Sequence, residues 1–240
     1  MREQFNKLVI IPTYNEVKNI RLIIESIFSL EDNFSVLIVD DNSPDGTMYR
    51  VRQLQNKYNN LYLITRKCKM GLGSAYIEGF KYALKRGYNV VIQMDGDLSH
   101  TPEHLPRMIN LLEDYDLVIG SRYVKGGGIS NWPLLRLSLS RLANLFSKLM
   151  LVPVNDLTSG FKCMKRKVLE RIDFSTIKSQ GYAFQIEMVY RAYLKGLRIT
   201  EYPIVFKGRE NNRSKMSFGI IIEAFLRVVL LSIEKIFYRI

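Results

Sequence analysis

The sequence predicts an α/β fold built on a mostly parallel sheet flanked by helices, and three observations carry that expectation. Short β-branched runs alternate with helical spacing through the first half of the chain. The runs are continuously apolar rather than alternating with polar residues, as strands covered on both faces are. The runs at Ile11, Val39 and Met94 each lead into a polar or acidic cluster, which places those clusters on one edge of the sheet, where open α/β sheets bind ligands.

Leu8-Val9-Ile10-Ile11 is the first run. It stops at Pro12, and helical spacing follows from Glu16 to about Leu30. Val36-Leu37-Ile38-Val39 enters Asp40-Asp41, with helical spacing again from Thr47 to Tyr58, a helix that Ser43 or Asp45 can cap. Leu61 to Thr65 is a third strand, Ser74 to Arg86 a third helix, Val90 to Met94 a fourth strand and Leu117 to Gly120 a fifth. Gly126-Gly127-Gly128 has neither pattern. In Leu134 to Val152, Leu135, Leu139, Leu142, Leu145, Phe146, Leu149 and Met150 take one helical side. Arg136, Ser140, Arg141, Asn144, Ser147 and Lys148 take the other, with Leu137 as an exception. Such a helix packs on the sheet or lies in a membrane interface, and the pattern leaves both open. Met216 to Ile240 repeats the theme, with Glu223 and Arg227 at i,i+4, as a second interfacial helix or one that docks a partner protein. The expected organisation is one domain over 1–213 and a helical tail over 214–240.

A chain of 240 residues can bury a core without disulfide or metal staples. Its 35 Lys and Arg against 23 Asp and Glu give a net charge of +12, which points to a polyanionic partner: nucleic acid, a phosphorylated substrate or an anionic membrane. Cys68 and Cys163 lie far apart, with no thiol or histidine at metal-ligand spacing, which excludes a disulfide scaffold and a zinc finger. Met1-Arg2-Glu3-Gln4 leads straight into the first strand, so no secretory leader is read and a reducing cytosol is the default. Glu223, Arg227, Glu234 and Lys235 interrupt the apolar tail, and no stretch reaches the roughly 20 residues of a membrane span. No helix carries a groove-reading row of Arg and Lys, and no aromatic RNA motif occurs, so a nucleic-acid-binding protein is the weaker rival reading.

Asp95-Gly96-Asp97 is the strongest local signal. Two carboxylates flanking a glycine at a strand end can both face a hard divalent cation, Mg²⁺ or Mn²⁺, which in turn grips a diphosphate. His100 and His104 are also four apart, but Pro102 lies between them, which reads as a loop and helix start with structural histidines. Gly71-Leu72-Gly73-Ser74 lacks the Walker lysine and reads as a helix entry.

Five motifs occur in order: Ile11-Pro12-Thr13-Tyr14-Asn15-Glu16, Val39-Asp40-Asp41-Asn42-Ser43-Pro44-Asp45-Gly46-Thr47, Asp95-Gly96-Asp97-Leu98-Ser99-His100, Gly120-Ser121-Arg122-Tyr123 and Thr158-Ser159-Gly160-Phe161. Together the chain resembles glycosyltransferase family 2, with the inverting GT-A fold. Within it the motifs are most similar to the dolichol- or polyprenol-phosphate mannose synthases, over about residues 8 to 215.

The resemblance implies transfer of mannose from GDP-mannose to a polyprenyl or dolichyl phosphate, at the cytoplasmic face of a membrane to which the protein binds peripherally. It implies donor-nucleotide contacts from Pro12, Tyr14, Glu16, Asp40, Asp41, Gly71 and Asp95, and a metal held by Asp95 and Asp97. Ser99 stands where some relatives carry a glutamine. Ser121 and Arg122 would face the sugar and acceptor, and Asp156 the transferred sugar. Arg209-Glu210-Asn211-Asn212-Arg213-Ser214-Lys215 matches an Arg-x-x-Gly-x-Ser-Lys stretch, with Asn212 for glycine, and would supply Arg209, Arg213 and Lys215 to the acceptor phosphate. The reactive set is then Asp97, Arg122, Asp156 and Arg209. Trp132, Arg136, Arg141 and Lys148 are expected at the membrane interface, beside an anionic bilayer or a membrane-anchored protein partner, although Trp132, followed by Pro133, fits a core position equally well. A UDP-sugar donor, glucose or similar, is the alternative within the same chemistry.

Overall fold

The computed structural model describes residues 6–177, 179–208 and 218–237. Five strands coincide with the five apolar runs: β1 (Lys7–Thr13), β2 (Phe34–Asp40), β3 (Leu61–Thr65), β4 (Val90–Gln93) and β5 (Leu117–Ser121). Four more follow: β6 (Gly128–Ser130), β7 (Lys162–Lys165), β8 (Ile199–Pro203) and β9 (Val205–Lys207). Seven of them form one sheet in the order β3-β2-β1-β4-β7-β5-β8, and β6 pairs with β9 in a small second sheet. The Gly128 segment, which lacks a strand pattern in sequence, is therefore a short strand: Gly128, Ile129 and Ser130 pair with Val205, Phe206 and Lys207.

All pairings in the large sheet are parallel except those of β7, which runs antiparallel between β4 and β5, with Cys163 opposite both Ile92 and Val118. Two consequences place the site. The chain turns from β1 to β2 on one side and returns to β4 on the other, so a crevice opens beyond the carboxyl ends of β1 and β4. Because β7 runs the opposite way, its first residues stand at that same edge and bring Thr158–Phe161 to it.

Helices cover both faces. On one, α1 (Ile20–Phe28), α2 (Thr47–Gln55) and α4 (Leu105–Asn110) bury Ile20, Ile23, Ile24, Ile27, Val51, Leu105 and Met108 against Val9, Ile11, Val36 and Ile38. On the other, α3 (Leu72–Arg86), α6 (Arg166–Arg171), α7 (Gly181–Leu194) and α8 (Phe218–Phe237) bury Tyr76, Phe80, Val168, Phe184 and Val189 against Leu8, Ile10, Leu37 and Val39. Val228 and Leu231 of the tail helix belong to this second core. Arg227 donates to the buried Glu187 of α7 at 3.1 Å, and Tyr190 Oη donates to the Leu231 carbonyl at 3.0 Å. The Glu223 side chain lies outside the described residues.

Helix α5 (Leu134–Met150) packs against the rest of the protein in an unexpected orientation. Its polar face is the inward one: Asn144 and Ser147 are 2% and 1% exposed. Leu142, Leu145 and Leu149 turn outward, at 62%, 53% and 75%. Phe146 stacks on Phe225 of α8 at 4.6 Å, and Phe225, Leu226, Leu230 and Ile233 extend the exposed apolar surface across α8. Among the described residues no helix is long and apolar enough to cross a membrane.

Packing of α3 on β1 leaves no room at Gly79, where a Cβ would sit 2.6 Å from Ile10 Cγ2. Gly79→Ala is therefore expected to destabilise the protein by about 1–3 kcal/mol, despite the helix propensity it gains. Urea unfolding should show the loss, and Ile10→Val in the same chain should recover part of it.

Candidate functional site

The loops after β1, β2 and β4 converge at the crevice, and each contains a residue in left-handed backbone: Asn15 (φ 61°), Asn42 (φ 57°) and Leu98 (φ 63°). Asparagine adopts that conformation at modest cost, whereas leucine does so only where surrounding contacts impose it. In the second loop Asp40 is fully buried. It accepts from Thr13 Oγ1 (2.8 Å), Ser43 N (2.8 Å) and Ser43 Oγ (2.7 Å), so it ties β1 to β2 and does not line the crevice. Asp41 does line it, but its carboxylate is engaged by the chain: one oxygen takes Arg66 and the other accepts from Met70 N and Gly71 N at 3.2 Å. Arg66 also donates to Ser74 Oγ (2.6 Å) and the Gly71 carbonyl (2.9 Å). Asp41 and Arg66 thus hold the 66–71 segment as one wall. Lys69 Nζ stands 4.2 Å from the centre of the Tyr14 ring.

The crevice is a cavity of about 630 Å³. Pro12, Tyr14, Glu16, Asp41 and Gly71 line one end. Asp95 and Asp97 stand in the middle, and Arg122, Trp132, Arg136 and Thr158 line the other end. Glu16 accepts from Asn19 Nδ2 at 2.9 Å. Tyr76 Oη donates to Asp95 Oδ1 at 3.3 Å. Burial and then the Asp95 charge hold this phenol well above its usual pKa, so it remains a donor. A Cβ at Gly160 would sit 3.0 Å from both Asp95 oxygens and would push that carboxylate aside by a few tenths of an ångström. Asp97 Oδ1 accepts from Ser99 N at 3.0 Å. His100 is buried, stacks on Phe161 at 5.0 Å and accepts from Asp95 N at 3.3 Å. Burial lowers its pKa against the pull of Asp95, so it is a neutral wall residue.

At the far end Arg122 and Asp156 form a buried bidentate pair, with Asp156 accepting from Arg122 N (2.9 Å), Nε (2.7 Å) and Nη2 (2.6 Å). Burial alone would lower the arginine's pKa and raise the carboxyl's. Their mutual attraction outweighs it, so Arg122 is raised and Asp156 lowered. Thr158 Oγ1 accepts from Arg122 Nη2 (2.7 Å) and from Asn144 Nδ2 (3.1 Å). Asn144 Oδ1 accepts from Leu157 N (2.8 Å), which explains why α5 turns its polar face inward.

Several expected contacts are relocated by this geometry. Asp156 is fully buried behind Arg122 and reaches the cavity only through it. Ser121 is also fully buried at the end of β5 and does not line the cavity. Trp132 and Arg136, expected at an outward surface, stand in the cavity wall, with the guanidinium 3.8 Å from the indole ring centre and Phe206 packed edge-on at 5.5 Å. Aromatic faces attract the cation there. Arg209, Arg213 and Lys215 lie outside the described residues. Residues not legible in advance include Arg66, Lys69, Phe206 and the Gln180–Gln185 stretch. Arg66 follows β3 directly, on the same edge as Asp40-Asp41 and Asp95, and that position was its one available signal.

Four cavity-lining residues carry buried polar atoms with no protein partner: Ser99 Oγ, Trp132 Nε1, Arg136 Nε and Gln185 Nε2. Buried polar groups are rarely left so, and their convergence on one cavity marks a place for a polar ligand. Asp95 and Asp97 are hard oxygen donors facing the cavity, the donor type that Mg²⁺ and Mn²⁺ prefer. Among the described residues no group of three or more His, Cys, Asp or Glu could hold an ion, so ligand oxygens or water must complete its shell.

Residues 8–173 match glycosyl transferase family 2. The chain is 45% identical to polyprenol monophosphomannose synthase of Mycolicibacterium smegmatis, covering 92% of this chain and 84% of that one. It is 42% identical to undecaprenyl-phosphate mannosyltransferase of Micrococcus luteus, covering 92% and 91%. The fold is that of GT-A structures. Glucosyl-3-phosphoglycerate synthase of Mycobacterium tuberculosis, in complex with Mn²⁺, UDP and glucosyl-3-phosphoglycerate, superimposes with a TM-score of 0.69 at 18% identity, over 95% of this chain and 80% of that one. A mannosyltransferase of Pyrobaculum calidifontis, in complex with GDP-Man and Mn²⁺, gives 0.64 at 19%, over 95% and 65%.

Beneath the cavity Lys162 is fully buried and donates to the Ser159 carbonyl and Gln185 Oε1. Burial pushes its pKa down to about 7, against the pull of Asp156 and Asp95. Between that value and the ordinary lysine range the unfolded chain holds a proton that the folded one has released, so this group adds stability as pH rises from about 7 towards 10. The stability difference between wild type and Lys162→Met, followed by urea unfolding, should therefore shift in favour of wild type over that window. A pH-independent difference would show that Lys162 keeps its proton.

Proposed function

The chain belongs to glycosyltransferase family 2 and is a glycosyltransferase, and from that premise we propose that it transfers mannose from GDP-mannose to a polyprenyl or dolichyl phosphate, with inversion at the sugar and with Mg²⁺ or Mn²⁺ as cofactor. One observation carries the reading: a single cavity runs from Tyr14, Asp41 and Gly71 past two adjacent carboxylates to a pair of arginines, Arg122 and Arg136. That sequence of surfaces suits a nucleoside, then a metal-bound diphosphate, then the anion that attacks the sugar.

A divalent cation on Asp95 and Asp97 would stabilise the negative charge that develops on the departing diphosphate. The acceptor is already an anion near neutral pH, since a phosphate monoester loses its second proton near about pH 6. Its oxygen bonds to the anomeric carbon while the bond from that carbon to the diphosphate breaks on the opposite face, so no protein base has to remove a proton. What the protein supplies is position. Arg122, locked by Asp156, and Arg136, set against Trp132, hold the phosphate in line. Asp156 acts through Arg122, and Asp40 acts through the loop that carries Asp41. The outward leucines of α5 and the apolar face of α8 support peripheral association with the cytoplasmic face of a membrane, where such an acceptor resides.

The deciding assay offers GDP-mannose, UDP-glucose and other nucleotide sugars with a short polyprenyl phosphate and Mg²⁺ or Mn²⁺, and identifies the glycolipid and its anomer. Mannosyl lipid from GDP-mannose alone is expected; glucosyl lipid from the UDP donor would transfer the reading to that sugar. Asp97→Asn should lower turnover by roughly 100-fold or more. Asp156→Ala should cost about 3–5 kcal/mol of stability, because it leaves Arg122 buried without its partner. Calorimetry would measure that loss.

A further inference from the structure

A second cavity, of about 400 Å³, lies on the other side of Arg122 against α5. Arg141, Asn144, Leu145 and Lys148 face it from one stripe of that helix, and Tyr123 and Asn155 are also in its wall. No carboxylate lines it. The charge of Arg122 is matched by Asp156, but Arg141 is exposed and has no acidic partner among the described residues. Lys148 Nζ donates to Asn155 Oδ1 at 2.7 Å. Asn155 in turn donates to Glu201 Oε2 from its backbone N (2.9 Å) and from Nδ2 (2.7 Å). A neutral amide therefore fixes the position of Lys148 without cancelling its charge, and the carboxylate stands one residue further back. Two uncompensated cations over a neutral polar floor make a receptor for an anion.

The rim decides which anion. Leu142, Leu145 and Leu149 border the cavity's helix with their side chains in the open, and the apolar surface continues through the Phe146–Phe225 stack onto Leu226, Leu230 and Ile233. A free anion would leave that surface in water. An anion carrying hydrocarbon chains would cover it.

We propose that the Arg141–Lys148–Asn155 cavity binds the headgroup phosphate of an anionic membrane phospholipid, whose chains lie along the leucines of α5. The inference rests on the membrane-bound reading given above but concerns a different phosphate. The acceptor's phosphate belongs to the cavity that holds Asp95 and Asp97, whereas this one seats the protein on the bilayer.

The test is co-sedimentation of the full chain, without donor or acceptor, with phosphatidylcholine vesicles, with vesicles that also contain phosphatidylglycerol, and with phosphatidylcholine vesicles carrying polyprenyl phosphate. Wild type should prefer the phosphatidylglycerol vesicles. Arg141→Gln with Lys148→Gln should weaken that binding by roughly 30-fold, and Arg141→Gln alone by about fivefold. Lys81→Gln with Lys85→Gln removes the same charge from exposed positions of α3 and should leave binding within about twofold of wild type. Equal weakening by both double variants would mean a diffuse charge effect and would overturn the proposal. So would binding that survives Arg141→Gln with Lys148→Gln, or a preference for vesicles carrying polyprenyl phosphate over those with phosphatidylglycerol. Competition by inorganic phosphate at a concentration that leaves ionic strength unchanged should displace wild type, and a failure to do so would equally count against a phosphate site. Mannosyl transfer by wild type to a short acceptor in detergent, where no vesicle is present, reports separately on the proposed reaction.

Discussion

The site depends on one buried ion pair. Arg122 arrives at the end of β5 and Asp156 on the loop that leads into β7, and their bidentate contact joins two segments that the sheet brings side by side. The surroundings complete it. Thr158 accepts from the same guanidinium, Asn144 of α5 clamps Leu157 and Thr158, and Glu201 of β8 accepts from the backbone of Asp156 at 3.0 Å. A pair taken out of water is favourable only when its remaining hydrogen-bonding capacity is met nearby, and here it is met from three elements. Its product is an arginine with a fixed direction at the end of a cavity whose middle holds two carboxylates.

The same clamp explains the orientation of α5. A helix with leucines on one side and Arg, Ser and Asn on the other would, on a soluble protein, turn the leucines in. Here Asn144 is tied to the Leu157–Thr158 backbone inside, and Leu142, Leu145 and Leu149 are left outside on the same exposed surface as Leu226 and Leu230 of α8. The polar wall of the site and the exposed apolar surface of the molecule are two faces of one helix, so both are specified together.

The half of the pocket built on β1, β2 and β4 was legible because its physics is local. Strands β1 to β5 are apolar runs, and the clusters after β1, β2 and β4 follow directly from where those runs stop. The division of labour inside the clusters was not legible. Asp40 and Asp41 are neighbours in sequence, yet one is a buried staple and the other lines the cavity, because alternate residues at a strand end point to opposite sides. The half around Arg122 was harder still. Strand β7 has lysines at both ends, and one of them, Lys162, is buried. Helix α7 is buried around most of its circumference, so neither shows the usual period. Trp132 and Arg136 carried the composition of an interface anchor, and only the β6–β9 pairing, which sets Phe206 against Trp132, reveals that they face inward.

The antiparallel strand has a consequence for how the chain reaches this state. Strands β1 to β3 pair through segments close in sequence and β4 closes back onto β1, with Val90 opposite Lys7, so the end of the pocket lined by Tyr14 and Asp41 can take shape as soon as roughly the first hundred residues are available. The other end requires β7 to slot between β4 and β5, with Val90 meeting Lys165 across an excursion of dozens of residues, and only then can β5 and β8 join the rest. The order of synthesis therefore separates the two ends of the pocket: a chain leaving the ribosome already carries every strand of the Tyr14 and Asp41 end before β7, which brings Thr158 to the Arg122 end, has been made.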